Sequence, residues 1–214
     1  MNWLAHLLLA ESDAELRLGN LLGDLVKGEE RKTLNKKLQR GLESHQAIDI
    51  FTDQHSVFKR SKKRISPEYR RFAGILVDVF YDYILANNWD TYSEIPLALF
   101  TKNTYSSWTN YLDDIPLYSQ AVIHRLIAEN WLYSYRNIEG IETTLARISD
   151  RINRKRQKRQ YDLTPAIKDL TMTYGLLESD FQEFFPQLQS HINQWHQNYP
   201  NNNEANLFVY GHFV

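Results

Sequence analysis

Apolar residues recur at steps of three and four along most of this chain. Leu18, Leu21, Leu22 and Leu25 make one helical face, which Gly28 is expected to end. Leu38 and Leu42 open a second stripe, and His45, Asp49 and Thr52 continue it. Ser66-Pro67-Glu68 has the form of a helix start, with Ser as cap, Pro at the first position and Glu near the positive end. Phe72, Ile75, Leu76, Val79 and Tyr83 form the stripe of that helix, and Asn87-Asn88 ends it. Further helices are expected from near Pro96 and from near Pro116 to Ser119, separated by the loop Asp113-Asp114-Ile115. Ile141, Leu145, Ile148 and Ile152 define a long helix after Gly140. Thr164-Pro165 caps the next, which Gly175 ends, and Leu176 to Gln197 is the last. The aromatic tail from Leu207 to Val214 fits none of these patterns. No stretch alternates long enough to argue for a sheet. The pattern predicts an all-α fold, a single domain spanning 1–214 with a basic helix near 141–159.

Composition narrows the chemistry. The chain has no cysteine, which excludes disulfides, thiolate nucleophiles and thiolate metal ligands. Any metal must therefore be held by His, carboxylate and water, a donor set that suits Mn²⁺, Mg²⁺, Fe or Zn²⁺. The apolar run from Trp3 to Ala10 is short and interrupted by His6, it shows no basic leader, and no stretch reaches membrane-spanning length. The expectation is a soluble, cytoplasmic protein. A net charge of −1 selects no partner by itself, so only the distribution of charge can.

The second stripe is the informative one, because two ionisable groups stand where core residues are expected. His45 and Asp49 are four apart, which puts both side chains on one helical face, roughly 5–6 Å apart at Cβ. Such a pair can share a cation; taken alone, it can equally close a core helix as a His–Asp hydrogen bond. Asn20 and Asp24 share a face in the same way, as do Asp78 and Asp82 at the border of the third stripe. His6 and Asp53 complete the candidates. Each has an ordinary explanation in isolation. Repetition of His and Asp on the inner faces of consecutive helices is harder to dismiss, since desolvated carboxylates repel unless protonated or bridged by a cation.

Four blocks carry a resemblance. M-N-W-L-A-H-L at the N-terminus, G-N-L-L-G-D-L-V-K-G at Gly19–Gly28, H-Q-A-I-D-I-F-T-D at His45–Asp53 and D-V-F-Y-D-Y at Asp78–Tyr83 resemble the acyl carrier protein phosphodiesterase family. Weaker similarity continues through Asn130-Trp131-Leu132, Tyr135-Arg136, Leu177-Glu178 and Phe185-Pro186. The family is regarded as an unusual branch of the HD-type phosphohydrolases, so the resemblance implies an HD-domain-like bundle. It also implies hydrolysis of the phosphodiester that joins 4′-phosphopantetheine to a serine of acyl carrier protein, with a divalent metal, most commonly Mn²⁺, and with Mg²⁺ or Fe²⁺ as alternatives.

Position by position, the resemblance implicates His6, Asp24, His45, Asp49, Asp78 and Asp82 at the metal, with Asp24, His45 and Asp49 also catalytic. Two departures stand out. Gln46 occupies a position where the family often has Arg, and Tyr83 one where it usually has His, so the expected site lacks one ligand there.

Acyl carrier proteins are small and acidic, so a docking surface should be basic. Lys59, Arg60, Lys63 and Arg64 form one candidate patch. Arg151 and Arg154, in a stripe with Arg147 and Lys158, form another. Such runs are also simply solvated faces. No nucleic-acid motif is present, and neither RNA nor a membrane is an expected partner. Two other functions remain open from the residues: a hydrolase for a nucleotide or another small phosphoester, and a carrier-protein-binding module that has lost catalysis.

Overall fold

A computed structural model describes residues 1–155 and 159–199. It is all-α, with no strand among the described residues. The helices are α1 (Trp3–Leu9), α2 (Ala14–Leu22), α3 (Glu30–Thr33), α4 (Lys36–Gln54), α5 (Ser56–Arg64), α6 (Ala73–Asn87), α7 (Trp89–Tyr92), α8 (Leu97–Trp108), α9 (Leu117–Ala128), α10 (Trp131–Ser134), α11 (Ile138–Lys155) and α12 (Ile167–Asn198). The tail from Leu207 to Val214 lies outside the described residues, as does Lys158 of the basic stripe.

Helix α6 is the hub. Leu76, Val77, Val79, Phe80, Tyr81, Ile84 and Leu85 are all buried, so it is apolar nearly all round, as a helix enclosed by others must be. Helices α1, α5, α11 and α12 pack around it.

The closest pairing is α2 on α4. A Cβ on Gly41 would stand 2.4 Å from the Leu16 carbonyl oxygen, and one on Gly19 would stand 2.3 Å from that of Leu38. Backbone meets backbone here, and no larger residue fits at either position. Caps fix the starts of both helices. The Asp13 side chain accepts from Glu15 and Leu16 N–H, and that of Asn35 accepts from Leu38 N–H.

Three sequence expectations are corrected. The helix beginning at Ala14 stops at Leu22 rather than running to Gly28. The chain then passes through turns whose carbonyls at Gly23 and Val26 accept from the Arg31 guanidinium, and Gly28 makes the later bend at φ +59°. Ser66-Pro67 starts a 3₁₀ segment, Pro67–Phe72, rather than an α-helix. The Ser66 hydroxyl does not cap it but donates to Asp169, which also accepts from the Ser66 N–H. Gly175 does not end a helix, because α12 runs straight through it to Asn198. Leu170, Leu177, Phe181, Phe184, Leu188 and Ile192 are all buried on one continuous stripe, so packing on the core outweighs the weak helix propensity of one glycine.

No helix among the described residues is long and apolar enough to cross a membrane.

Candidate metal centre

Helices α1 and α4 bring three of the expected residues together. The His6 and His45 rings stack, with centroids 4.1 Å apart and planes 21° from parallel. Both turn Nε2 to the same carboxylate: His6 lies 3.2 Å from Asp49 Oδ1 and His45 3.1 Å from Asp49 Oδ2. Local sequence makes this possible. His45 and Asp49 share a face by their spacing of four. His6 reaches that face because α1 packs on both α2 and α6. Gly23 makes room for the His45 ring, since a Cβ there would stand 2.3 Å from its Cγ.

The electrostatics are those of a site arranged around positive charge. Both imidazoles are buried, whereas Asp49 is half-exposed at the mouth. Burial, reinforced by the neighbouring His45, pushes His6 down to about 4, so this ring is neutral at pH 7. Burial opposes ionisation of Asp49, but the contacts from His45 and His6 and the nearby Met1 amino group outweigh it and hold the carboxyl well below its usual range. The Met1 amino group is buried 3.0 Å from Asp78 Oδ1 and 3.8 Å from Asp49 Oδ1, a cation seated between two carboxylates. Burial works against its charge, but Asp78 and Asp49 raise its pKa overall. Burial raises the Asp78 carboxyl, and the amino group offsets that only in part.

A divalent metal fits this constellation. One ligand atom from each of His6, His45 and Asp49 lies within 4.8 Å of the others. His6 Nε2 is buried without a hydrogen-bond partner, although an ionised carboxylate oxygen stands 3.2 Å away. A ring nitrogen and a carboxylate oxygen at that distance share either a proton or a cation.

The other expected residues have different surroundings. Asp24 lies in the turn after α2, and its Oδ2 accepts from the Trp3 indole N–H at 2.8 Å. Asp82 is fully buried, and its two oxygens accept from the backbone N–H groups of Leu4 at 2.7 Å and Ala5 at 3.0 Å. It therefore caps α1, the helix that carries His6, by satisfying N–H groups that a helix start leaves open. Burial pushes its carboxyl up to about 7 despite these two bonds. Asp53 is exposed near the end of α4. The Tyr83 ring packs edge-on against Tyr174 of α12, with centroids 6.0 Å apart.

Of the first basic patch, Arg60 and Arg64 on α5 pair with buried Asp180 of α12, at 2.8 and 2.7 Å. Arg60 also contacts Glu183, and Ser61 donates to Asp180. Both arginines thus tie α5 to α12, and Arg60 is exposed there together with Lys59 and Lys63. Arg151 and Arg154 are exposed on α11. Arg147 pairs with Glu129 and lies over the Trp131 ring, 4.1 Å from its centroid.

The reading of spacing alone passed over Trp3, Gly23, Ser44 and the Met1 amino group. Trp3 and Gly23 stand inside the quoted N-terminal blocks, which was the available signal.

Comparison with known proteins points one way. A family model described as acyl carrier protein phosphodiesterase matches residues 1–188. The protein of that name from Enterobacter sp. (strain 638) is 33% identical over 189 residues, covering 88% of this chain and 95% of the relative. Proteins of that name from Serratia proteamaculans (strain 568) and Klebsiella pneumoniae are 31% identical with the same coverage. No solved structure matches.

Proposed function

This chain belongs to the acyl carrier protein phosphodiesterase family, and on that premise we propose that it hydrolyses the phosphodiester between 4′-phosphopantetheine and a serine of acyl carrier protein. The products are the apo carrier and free 4′-phosphopantetheine. The observation that carries the reading is the convergence of His6, His45 and Asp49 from α1 and α4 to within 4.8 Å of one another.

In this reading His6 Nε2, His45 Nε2 and Asp49 hold a divalent cation, with Asp78 beside them. Mn²⁺ is the metal proposed, with Mg²⁺ or Fe²⁺ able to occupy the same mixed donor set. When bound, the cation offsets the negative charge that protects a phosphodiester and lowers the pKa of the water it holds. The protein's own part is positional. The buried, neutral His6 ring offers a lone pair without a competing proton, and Asp49 is ionised at working pH. Asp24, clamped by Trp3, stands next to Gly23, against which the His45 ring rests. We assign it the exchange of protons with the reacting groups. Asp82 acts through α1, holding His6 in register.

The whole chain is proposed to act as one HD-like catalytic domain working in the cytoplasm. An acidic carrier protein would dock through exposed cations, namely Lys59, Lys63, Arg151 and Arg154, with Arg60 and Arg64 bracing the surface behind the first pair. The test is direct. Purified protein incubated with holo-acyl carrier protein and Mn²⁺ should convert the carrier to a species lighter by the phosphopantetheine mass. An unchanged carrier mass at stoichiometric enzyme overturns the proposal.

A further inference from the structure

The block Gly19–Gly28 contains one buried polar residue to which the proposed chemistry gives no role. Asn20 is fully buried on α2. Its Nδ2 donates to Ser44 Oγ at 3.1 Å, and its Oδ1 lies 3.1 Å from His6 Nδ1. Ser44 is itself buried on α4, immediately before His45. The amide orientation sets the direction of both bonds. The amide N–H points at a hydroxyl oxygen, so the amide oxygen faces the imidazole. An oxygen of that kind only accepts, so the proton of a neutral His6 ring belongs on Nδ1.

We propose that Asn20, oriented by Ser44, is a positioning residue that fixes His6 in its Nδ1–H tautomer and so presents the Nε2 lone pair to the cation. Without that bond the ring would place its proton on Nε2 and donate it to Asp49 Oδ1, 3.2 Å away. The imidazole and the carboxylate would then satisfy each other. Incoming metal would have to remove that proton and break the bond. Partners on the far nitrogen of a metal-binding histidine set its tautomer and ring orientation, and their loss typically weakens metal binding about 10–100-fold. The consequence for the cation rests on the metal reading of the site; the tautomer rests on the hydrogen bonds alone.

The test reads the ring directly. In ¹⁵N-labelled, metal-free protein, long-range ¹H–¹⁵N correlation should show His6 with a protonated Nδ1 and a bare Nε2, assigned by comparison with His6→Gln. Zn²⁺, a diamagnetic probe, should then shift His6 Nε2 and leave the Nδ1 proton in place. Asn20→Leu should release the ring, give a population protonated at Nε2 and weaken Zn²⁺ binding about 10–100-fold. Asn20→Asp keeps the acceptor and should restore both the tautomer and the affinity. Ser44→Ala, a smaller change, should mix the two tautomers even if the leucine variant does not fold. A proton on Nε2 in the parent protein overturns the inference, as does a single Nδ1–H form in Ser44→Ala or in a folded Asn20→Leu variant. If Zn²⁺ moves no ring nitrogen of the parent protein, the metal reading fails instead, and the tautomer result stands apart from it.

Discussion

Asp82 gives the sharpest physical prediction, because burial opposes its ionisation more strongly than its two N–H bonds favour it. Its carboxyl is fully buried and accepts from Leu4 and Ala5 N–H. Burial raises its pKa from 3.8 to about 7. A carboxyl raised in this way binds its proton more tightly in the folded state than in the unfolded one. Its stabilising effect is complete below pH about 4 and is lost as pH rises through about 7. At roughly 1.4 kcal/mol for each tenfold change in proton affinity, the loss is about 4 kcal/mol, of which about 3 kcal/mol falls between pH 4.5 and 8. Asp82→Asn keeps an oxygen for one N–H but cannot ionise, so its own offset is independent of pH. The assay is urea unfolding of metal-free parent and variant across that range. The asparagine variant should gain about 3 kcal/mol relative to the parent as pH rises. A difference that stays flat with pH would mean that burial does not hold the Asp82 carboxyl above its ordinary range, which refutes the reasoning.

Other expectations follow from the same geometry. Gly23→Ala puts a methyl 2.3 Å from the His45 Cγ, so it should cost about 1–3 kcal/mol and weaken Mn²⁺ binding while circular dichroism remains helical. Tyr83→His should leave Mn²⁺ affinity unchanged in a calorimetric titration, because that ring packs on Tyr174. Lys59→Glu with Lys63→Glu should raise KM for carrier protein more than it lowers kcat, with Tm unchanged. Arg64→Glu should instead lower Tm, because it sets a carboxylate against buried Asp180.

What could be read in the sequence followed from local periodicity. The α4 stripe put His45 and Asp49 on one face, the faces of α6 and α11 were legible from three- and four-residue steps, and the starts of α8 and α9 from Pro96 and Pro116. Asn20 and Asp24 were also seen to share a face, and they do turn to α1, one to His6 and the other to Trp3. What escaped depends on partners far away along the chain. Asp82 caps a helix that begins at Trp3, and Asp180 holds arginines of α5, so neither role leaves a local pattern. Arg60 and Arg64 look like surface charge in the sequence for that reason. The end of α2 at Leu22 is decided by Arg31 reaching back to the Gly23 carbonyl, and the passage of α12 through Gly175 by an apolar stripe on both sides of it. Local signals predicted stops where tertiary packing set the boundaries.

The central claim is that His6, His45 and Asp49 hold the cation on which phosphodiester hydrolysis depends. The most direct measurement is turnover of holo-acyl carrier protein by chelator-treated enzyme as Mn²⁺ is titrated back, run beside Asp49→Asn. Turnover should be absent without metal, recover with added Mn²⁺ in the parent, and not recover in the variant although it remains folded. Full activity in chelator, or equal recovery by Asp49→Asn, would contradict it.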